Sequence, residues 1–437
     1  MFAYSYVYVK ESFFMMKYSS ADIISFVEQN DVKFIRLAFC DVFGRMKNIA
    51  LLPNELKKAF KHGVPFDISA YFGKNYIMGH ELRLFPIENT LSLMPWRPKT
   101  GSVVRLLCDI RENDGSISKY DQRHKLKTYV DDCISNGYFC EVGTECEFYL
   151  FNRDDNGNPT DIPHDKASYL DTSPLDNCEN IRREICITLE EMGLSPRSSR
   201  HKYGYGQNEI DFKHGDPVST ADNFLQFKVA VNAIAYQSGL FCSFLPKPIA
   251  DTMGSSLLIN MDMSKNQESL FSFNSSDDIH EKGNQFMAGI LDRLPEMTSL
   301  LNMNTNSYNR LNQIKLDNSI PDLIRVQPDL DLRRIALCSP DAMCNIYMAL
   351  NLLLHAGMEG IECKKSLHSV NCKTFNDLPS SFEEALELTN KSQFVKDVIG
   401  EDTWKSLKFS LDEIVDLYNS APDKLKFEHQ MYMKYYG

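Results

Sequence analysis

Two glutamates two residues apart, Glu145 and Glu147, lie in the stretch Glu141 to Phe151, whose alternation predicts a strand with both carboxylates on one face. A third carboxylate, Glu209, follows Gly206-Gln207-Asn208 in another short apolar-polar run. Carboxylate oxygens suit a hard divalent cation, although an isolated Glu-x-Glu strand reads first as a solvated pair. Arg310 carries a planar fork of donors that fits a carboxylate, and on its own it reads as a surface ion-pair partner. Gly254, ahead of Ser255-Ser256, reads on its own as a turn glycine. Asp67 and Ser69 read in isolation as a helix cap.

The elements that must position these groups follow from periodicity and punctuation. Ala21 to Gln29 reads as an amphipathic helix, Asp31 to Cys40 as a strand, Asp41-Val42-Phe43-Gly44 as a turn, and Met46 to Leu52 as the returning strand. Pro53 suits a helix's first turn, continued by Glu55 to Lys61. Gly101 to Ile110 adds a strand, and Asn113-Asp114-Gly115 turns the chain. Gln122 to Asn136 is a helix ahead of the Glu145 strand, and Asn152 to Pro159 a polar, hairpin-like loop. Leu175 to Met192 is a helix with Ile181, Ile185 and Leu189 at helical spacing, and a helical run follows Phe212. Further helices are expected at His280 to Asn302, Ala342 to Gly357, Ser381 to Thr389 and Asp402 to Asn419.

A chain of 437 residues with 43% hydrophobic and 24% charged residues can bury a large core in two or three domains. A net charge of -12 argues against nucleic acid or an anionic membrane as partner. Twelve cysteines without a Cys-x-x-Cys pair suit reduced thiols and a cytoplasmic protein rather than a disulfide framework. The opening segment is aromatic-rich but broken by Lys10 and Glu11, which makes it a poor signal peptide and leaves Met15 or Met16 as an alternative start. Lone histidines such as His164, His214, His280, His355 and His368 read as satisfied residues, and the Met431 to Tyr436 tail as a packed terminal helix or an interface.

Taken together and in order, these stretches resemble the glutamine synthetase family, in its shorter, bacterial-type form. The resemblance runs through Phe66-Asp67-x-Ser69, Met94-Pro95-Trp96, Cys108-Asp109-Ile110, Glu145 to Phe151, Gly206 to Phe212, Phe244-Leu245-Pro246-Lys247-Pro248, Gly254 to Met261, Asn306 to Leu311, Pro340-Asp341, Ala356 to Ile361 and Leu378 to Ser381. It implies an α+β fold: an extension or mis-called start over residues 1–18, a small β-grasp domain over 19–112, and a larger catalytic-type domain over 113–437. In that domain an antiparallel sheet would form a funnel surrounded by helices. The family reaction joins ammonia, or a larger amine, to the side-chain carboxylate of glutamate, with ATP and two divalent ions.

What the resemblance implies residue by residue is uneven. Glu147 and Glu209, with His201 six places before Gln207 at a family glutamate position, would hold one Mg²⁺ or Mn²⁺; an imidazole there favours Mn²⁺ or Zn²⁺. Glu145 would serve the second ion, but Leu258 and Ala336 occupy the positions of its other ligands, and Asn260 that of another family histidine. Cys338 replaces a phosphate-region arginine, and the chain is short between Arg310 and Arg334. Arg310 and Gly254 would bind the amino acid, Lys247 and Arg325 the nucleotide, and Asp67 would help deprotonate ammonium from a neighbouring subunit. The implied assembly is a ring-shaped homo-oligomer, up to a dodecamer of two stacked rings, with an intact paralogue as another partner. Two functions stay open: a ligase with weakened ATP use and altered chemistry, or a catalytically lost scaffold or sensor.

Overall fold

The computed structural model describes residues 18–73, 79–97, 101–272, 279–317, 322–327 and 334–433. The first residues, much of the segment between Arg310 and Arg334, and the end of the aromatic tail lie outside that set. The chain divides into two compact units, one made of the residues up to Phe39 with Lys47–Phe66 and Glu81–Ser118, the other of Cys40–Met46, Asp67–His80 and Lys119–Gly437.

The smaller unit opens with helix α1 (Ser20–Gln29), started by a reciprocal cap between Ser19 and Asp22. Its strands are β1 (Phe34–Cys40), β2 (Met46–Leu51), β3 (Val64–Asp67), β4 (Glu81–Pro86), β5 (Ser92–Leu93) and β6 (Val103–Arg111), in the order β2-β1-β6-β4-β3 with β5 also on β6. β1 and β6 run parallel, with Leu37 opposite Leu106, whereas β4 is antiparallel to β6. Leu37, Leu84, Val104 and Leu106 are fully buried. Pro53–Glu55 form a 3-10 turn leading into α2 (Leu56–His62), so the first turn of the helix expected from Pro53 is 3-10 rather than α. The expected turn at Asp41 is present: its carboxylate accepts from the N–H groups of Phe43 at 3.0 Å and Arg45 at 2.9 Å.

The larger unit is organised on a nine-stranded sheet. After α3 (Ser69–Phe72) and α4 (Gln122–Ser135), its strands are β7 (Tyr138–Arg153), β8 (Pro159–Pro163), β9 (Pro196–His201), β10 (Gln207–Phe212), β11 (Leu240–Ser243), β12 (Leu257–Lys265), β13 (Glu268–Ser269), β14 (Ile324–Gln327) and β15 (Arg334–Leu337). The main path is β14-β15-β12-β7-β10-β9, every pair of it antiparallel. Helices α5 (Glu179–Glu191), α6 (Pro217–Gln237), α7 (Glu281–Leu301), α8 (Thr305–Asp317), α9 (Ile346–Glu362), α10 (Phe382–Lys391), α11 (Gln393–Ile399), α12 (Glu401–Ser420) and α13 (Lys424–Glu428) complete the unit.

Strand alternation decides which side of this sheet is chemical. On β7, Phe148 faces away from Glu145 and Glu147 and packs against Phe227 of α6 and against Phe244, with ring centroids 6.1 and 5.8 Å away. That apolar anchor orients the two glutamates to the opposite side.

Two helix starts differ from expectation for the same reason. α5 begins at Glu179 rather than Leu175, because Asp165 and Asp176 accept the N–H groups of Asn177 and Cys178 and hold that segment outside the helix. α9 begins at Ile346, where Asn345 caps Tyr347 and Met348. α9 also runs past Gly357. A Cβ at Gly360 would lie 2.1 Å from the Gln285 carbonyl on α7, so its glycine lets two helices approach instead of ending one.

Candidate active site

Cross-strand register sets the site's central problem. Glu209 of β10 lies directly opposite Glu147 of β7, and Asp211 opposite Glu145. Both members of the first pair are buried. Like charges facing one another across strands repel, and burial sharpens the cost, so this pair requires a cation.

The cation in place is Lys202. Its ammonium lies 2.9 Å from Oε1 of Glu147 and 2.8 Å from Oε2 of Glu209. Burial alone would lower its pKa, but the charges of Glu147 and Glu209 more than reverse this and hold it above the ordinary lysine value. The remaining oxygens are also engaged. Ser256 donates its N–H (2.7 Å) and hydroxyl (3.2 Å) to Glu147 Oε2, and the Arg200 guanidinium lies 2.9 Å from Glu209 Oε1. Gln207 braces the turn: its own N–H reaches the Gly204 carbonyl, and its side-chain amide donates to the Gly254 carbonyl and to Ser255 Oγ.

His201 is not brought to this pair. Its Nδ1 faces the Lys202 carbonyl at 2.7 Å and its Nε2 faces Asp165 Oδ1 at 2.9 Å, so both ring nitrogens meet acceptors. Two acceptors require two ring protons, which makes the ring an imidazolium. Burial would lower its pKa, yet the Asp165 hydrogen bond outweighs burial and raises it. Asp165 is held below the usual carboxylate range: burial pushes it up, but the His201 hydrogen bond dominates together with donors from Cys178 and Gly206. The expected Glu147–His201–Glu209 ligand set is therefore not assembled. Asp165, Asp176 and Cys178 do bring three ligand-type atoms within 4.8 Å of one another. They are already committed, Asp176 to the buried Arg182 and Asp165 to His201, while burial raises the Cys178 thiol well away from thiolate.

A divalent ion fits this arrangement poorly. Oxygen ligands hold Mg²⁺ or Mn²⁺ at ~2.0–2.6 Å, and an ion so placed on both carboxylates would overlap the Lys202 ammonium. On the Glu145 side the neighbours are no better. Glu145 accepts from Asn260 Nδ2 at 2.9 Å, lies opposite Leu258, and Asn260 in turn lies opposite Ala336. Isobutyl and methyl groups supply no ligand. Cys338, at the phosphate-region position, is buried with its thiol pushed up to about 11 by that burial.

The surroundings of Arg310 are different. Arg310 of α8 is fully buried; one terminal nitrogen donates to Asn302 Oδ1 at 3.0 Å and to the Ser339 and Pro340 carbonyls. Among the described residues, its Nε and other terminal nitrogen have no hydrogen-bond partner. Burial lowers its pKa from the ordinary arginine value. Gly254 lies against it: a Cβ there would sit 2.5 Å from Arg310 Cγ and 2.8 Å from the Pro246 carbonyl. The structure thus brings together the two substrate-binding candidates.

The other candidates are spread out. Lys247 is buried, with its ammonium on the Thr252 carbonyl and, at 2.6 Å, on Gln313 Oε1. Arg325 is exposed on β14, opposite Ala336. Asp67 accepts from the N–H groups of Ser69 (2.8 Å) and Gly79 (3.0 Å), and hydrogen bonds from Ser69 lower its pKa. The last helices close over α8. Glu428 is fully buried and accepts from Thr305 (2.8 Å), Asn306 (2.7 Å) and Asn309 (3.1 Å), while His429 lies 2.8 Å from the Pro248 carbonyl.

Sequence reasoning missed Lys202, Arg200, Asp165 and Glu428. A signal existed for Lys202: Gly206-Gln207 precedes Glu209 by a tight turn, and the basic residue beside His201 is one position from the presumed ligand. Asp165 carried no signal, because its partner lies far along the chain.

The larger unit is built on a nine-stranded sheet with antiparallel pairing along its main path and carboxylates on one face, and the smaller unit on a six-stranded mixed sheet. The family models for the "Glutamine synthetase, beta-Grasp domain" and "Glutamine synthetase, catalytic domain" match residues 31–113 and 119–429. The chain is 38% identical to the glutamine synthetase of Clostridium saccharobutylicum over 89% of its length and 93% of that protein. It is 36% identical to the glutamine synthetase of Methanosarcina mazei over 87% and 90%. A solved structure described as "Apo GmaS without ligand" superposes with a TM-score of 0.80 at 22% identity, covering 94% of this chain and 99% of the other. A "novel glutamine synthase homolog" gives 0.80 at 17% identity. The chain belongs to the glutamine synthetase family. Among the described residues, no helix is long and apolar enough to cross a membrane.

Proposed function

We propose that this protein binds a small amino-acid carboxylate in the glutamine synthetase fold and forms glutamine from ATP, glutamate and ammonium far more slowly than an intact relative. The single observation that carries this reading is the setting of Glu145: Leu258 faces it, Asn260 occupies its oxygen, and Ala336 follows on the next strand. In-line phosphoryl transfer depends almost wholly on positioning and charge stabilisation. Loss of one contact to developing charge costs ~10²–10³-fold, and here ligands and a phosphate-region arginine are replaced together. Against this, Arg310 keeps two unpartnered nitrogens beside Gly254, which supports continued carboxylate binding.

In this reading the chain assembles with itself into a ring, or pairs with an intact paralogue, and reports or buffers an amino acid in the cytoplasm. A second reading, an active ligase with another amine acceptor, draws on 38% identity to a glutamine synthetase. Product-linked ATP turnover measured across a panel of amino acids and amines, alongside ligand-induced thermal shifts, separates the two. The proposal expects a shift with an amino acid and negligible product. Amide formation at ordinary enzymatic rates, ~1–10³ per second, would overturn it.

A further inference from the structure

We infer that Lys202 is a built-in replacement for the first divalent cation of this fold, so that the Glu147–Glu209 pair is complete without metal. The ammonium bridges one oxygen of each carboxylate at 2.9 and 2.8 Å, so the space between the two carboxylates is already taken by a cation. Lys202 and Arg200 together balance the two negative charges. An added divalent ion would bring two uncompensated positive charges beside an ammonium in a poorly solvated site, where repulsion is strong.

The lysine is aimed rather than free to wander. Its N–H donates to the Gln207 carbonyl at 2.8 Å, and its own carbonyl accepts from His201 Nδ1. His201 is pinned at its other nitrogen by Asp165, which also accepts the Gly206 N–H at 3.0 Å. One buried carboxylate thus ties both ends of the turn that carries Lys202. Gly206 makes that turn with φ of +68°, and a Cβ there would lie 2.7 Å from the Leu150 carbonyl. Beyond the carboxylates the ammonium faces the ring of Tyr169 at 5.8 Å, within cation–π range. His201 is accordingly a positioning residue for a cation.

The inference concerns the cation, not turnover, so it is read without substrate and survives or fails separately from the proposed function. The experiment is titration of the full chain with Mn²⁺ alone, followed by calorimetry and by the loss of the free-ion paramagnetic resonance signal. Wild type is expected to show no tight site. Lys202→Glu supplies a third carboxylate and should gain one Mn²⁺ per chain. The gain in affinity should exceed the ~10–100-fold that changing a residue behind the ligands brings. Lys202→Met guards against misfolding of the glutamate variant: with the two carboxylates bare, it too should bind Mn²⁺ more tightly than wild type. In both variants Glu147→Gln should abolish the gain. A wild-type chain that takes up one Mn²⁺ as tightly as Lys202→Glu, and loses it on Glu147→Gln, overturns the inference. So does a folded Lys202→Glu or Lys202→Met that gains nothing.

Discussion

The carboxylate cluster on the large sheet and the surroundings of Arg310 on α8 treat charge in opposite ways. Around Glu147 and Glu209 the protein supplies its own cations, and all four oxygens meet a donor or a positive group. Around Arg310 a fully buried guanidinium has two nitrogens without a hydrogen-bond partner among the described residues. An unpaired buried donor is costly unless something external completes it. One cluster is neutralised from within the chain, whereas the other leaves donors for which the described residues supply no acceptor.

Breaking the metal end should have the largest effect on stability. Lys202→Met leaves two opposed, buried carboxylates without a counter-charge, and loss of one partner from such a group costs about 3–5 kcal/mol. Chemical denaturation should show that loss. Because Mn²⁺ can then enter, added ion should restore part of the stability of the variant and leave wild type unchanged.

At the substrate end, Arg310→Met should cost about 1–3 kcal/mol through the acceptors it abandons at Asn302, Ser339 and Pro340. It should also abolish any amino-acid-induced thermal shift. Gly254→Ala drives a methyl into the Arg310 side chain and the Pro246 carbonyl, which overpacking costs at about 1–3 kcal/mol. Ligand affinity should fall with it. A Gly254→Ala protein with unchanged affinity would show that the Arg310 pocket is not where the ligand sits.

The smallest expected effect is a pH dependence. The folded-state pKa of His201 is raised above 6.5, so its contribution is fully present below 6.5 and is lost as pH rises through its folded value. Asp165 is depressed below 3.8, so its contribution is present above 3.8 and is lost as pH falls through its folded value. The pair should therefore be at full strength between those two reference values. His201→Gln should flatten the decline of stability on the alkaline side of 6.5, measured as denaturation midpoints across pH.

Much of this was legible in the sequence. The strand carrying Glu145 and Glu147 follows from alternation, and the fold class from the order of motifs that resembles the glutamine synthetase family. The identity of the first cation was not legible, because it depends on which of two neighbouring residues, His201 or Lys202, turns toward the sheet at the end of β9. That choice is made by Asp165, a residue distant in sequence that captures the imidazole and leaves the lysine facing the carboxylates. The late start of α5 has the same root, since Asp165 and Asp176 also hold the backbone ahead of it. Helix Gln393–Ile399 was missed because it is short and starts at Ser392, where the preceding helix ends and whose side chain caps it. The burial of Glu428 rests on three side-chain donors of α8 that no local sequence pattern announces.

The most direct test of the account is a crystal structure determined after soaking in millimolar Mn²⁺, with data collected on both sides of the manganese absorption edge. With Lys202 in the cation's place, no anomalous peak is expected between Glu147 and Glu209, and the Lys202 ammonium stays within hydrogen-bond distance of both. A manganese peak bonded to both carboxylates, with Lys202 displaced, would contradict it.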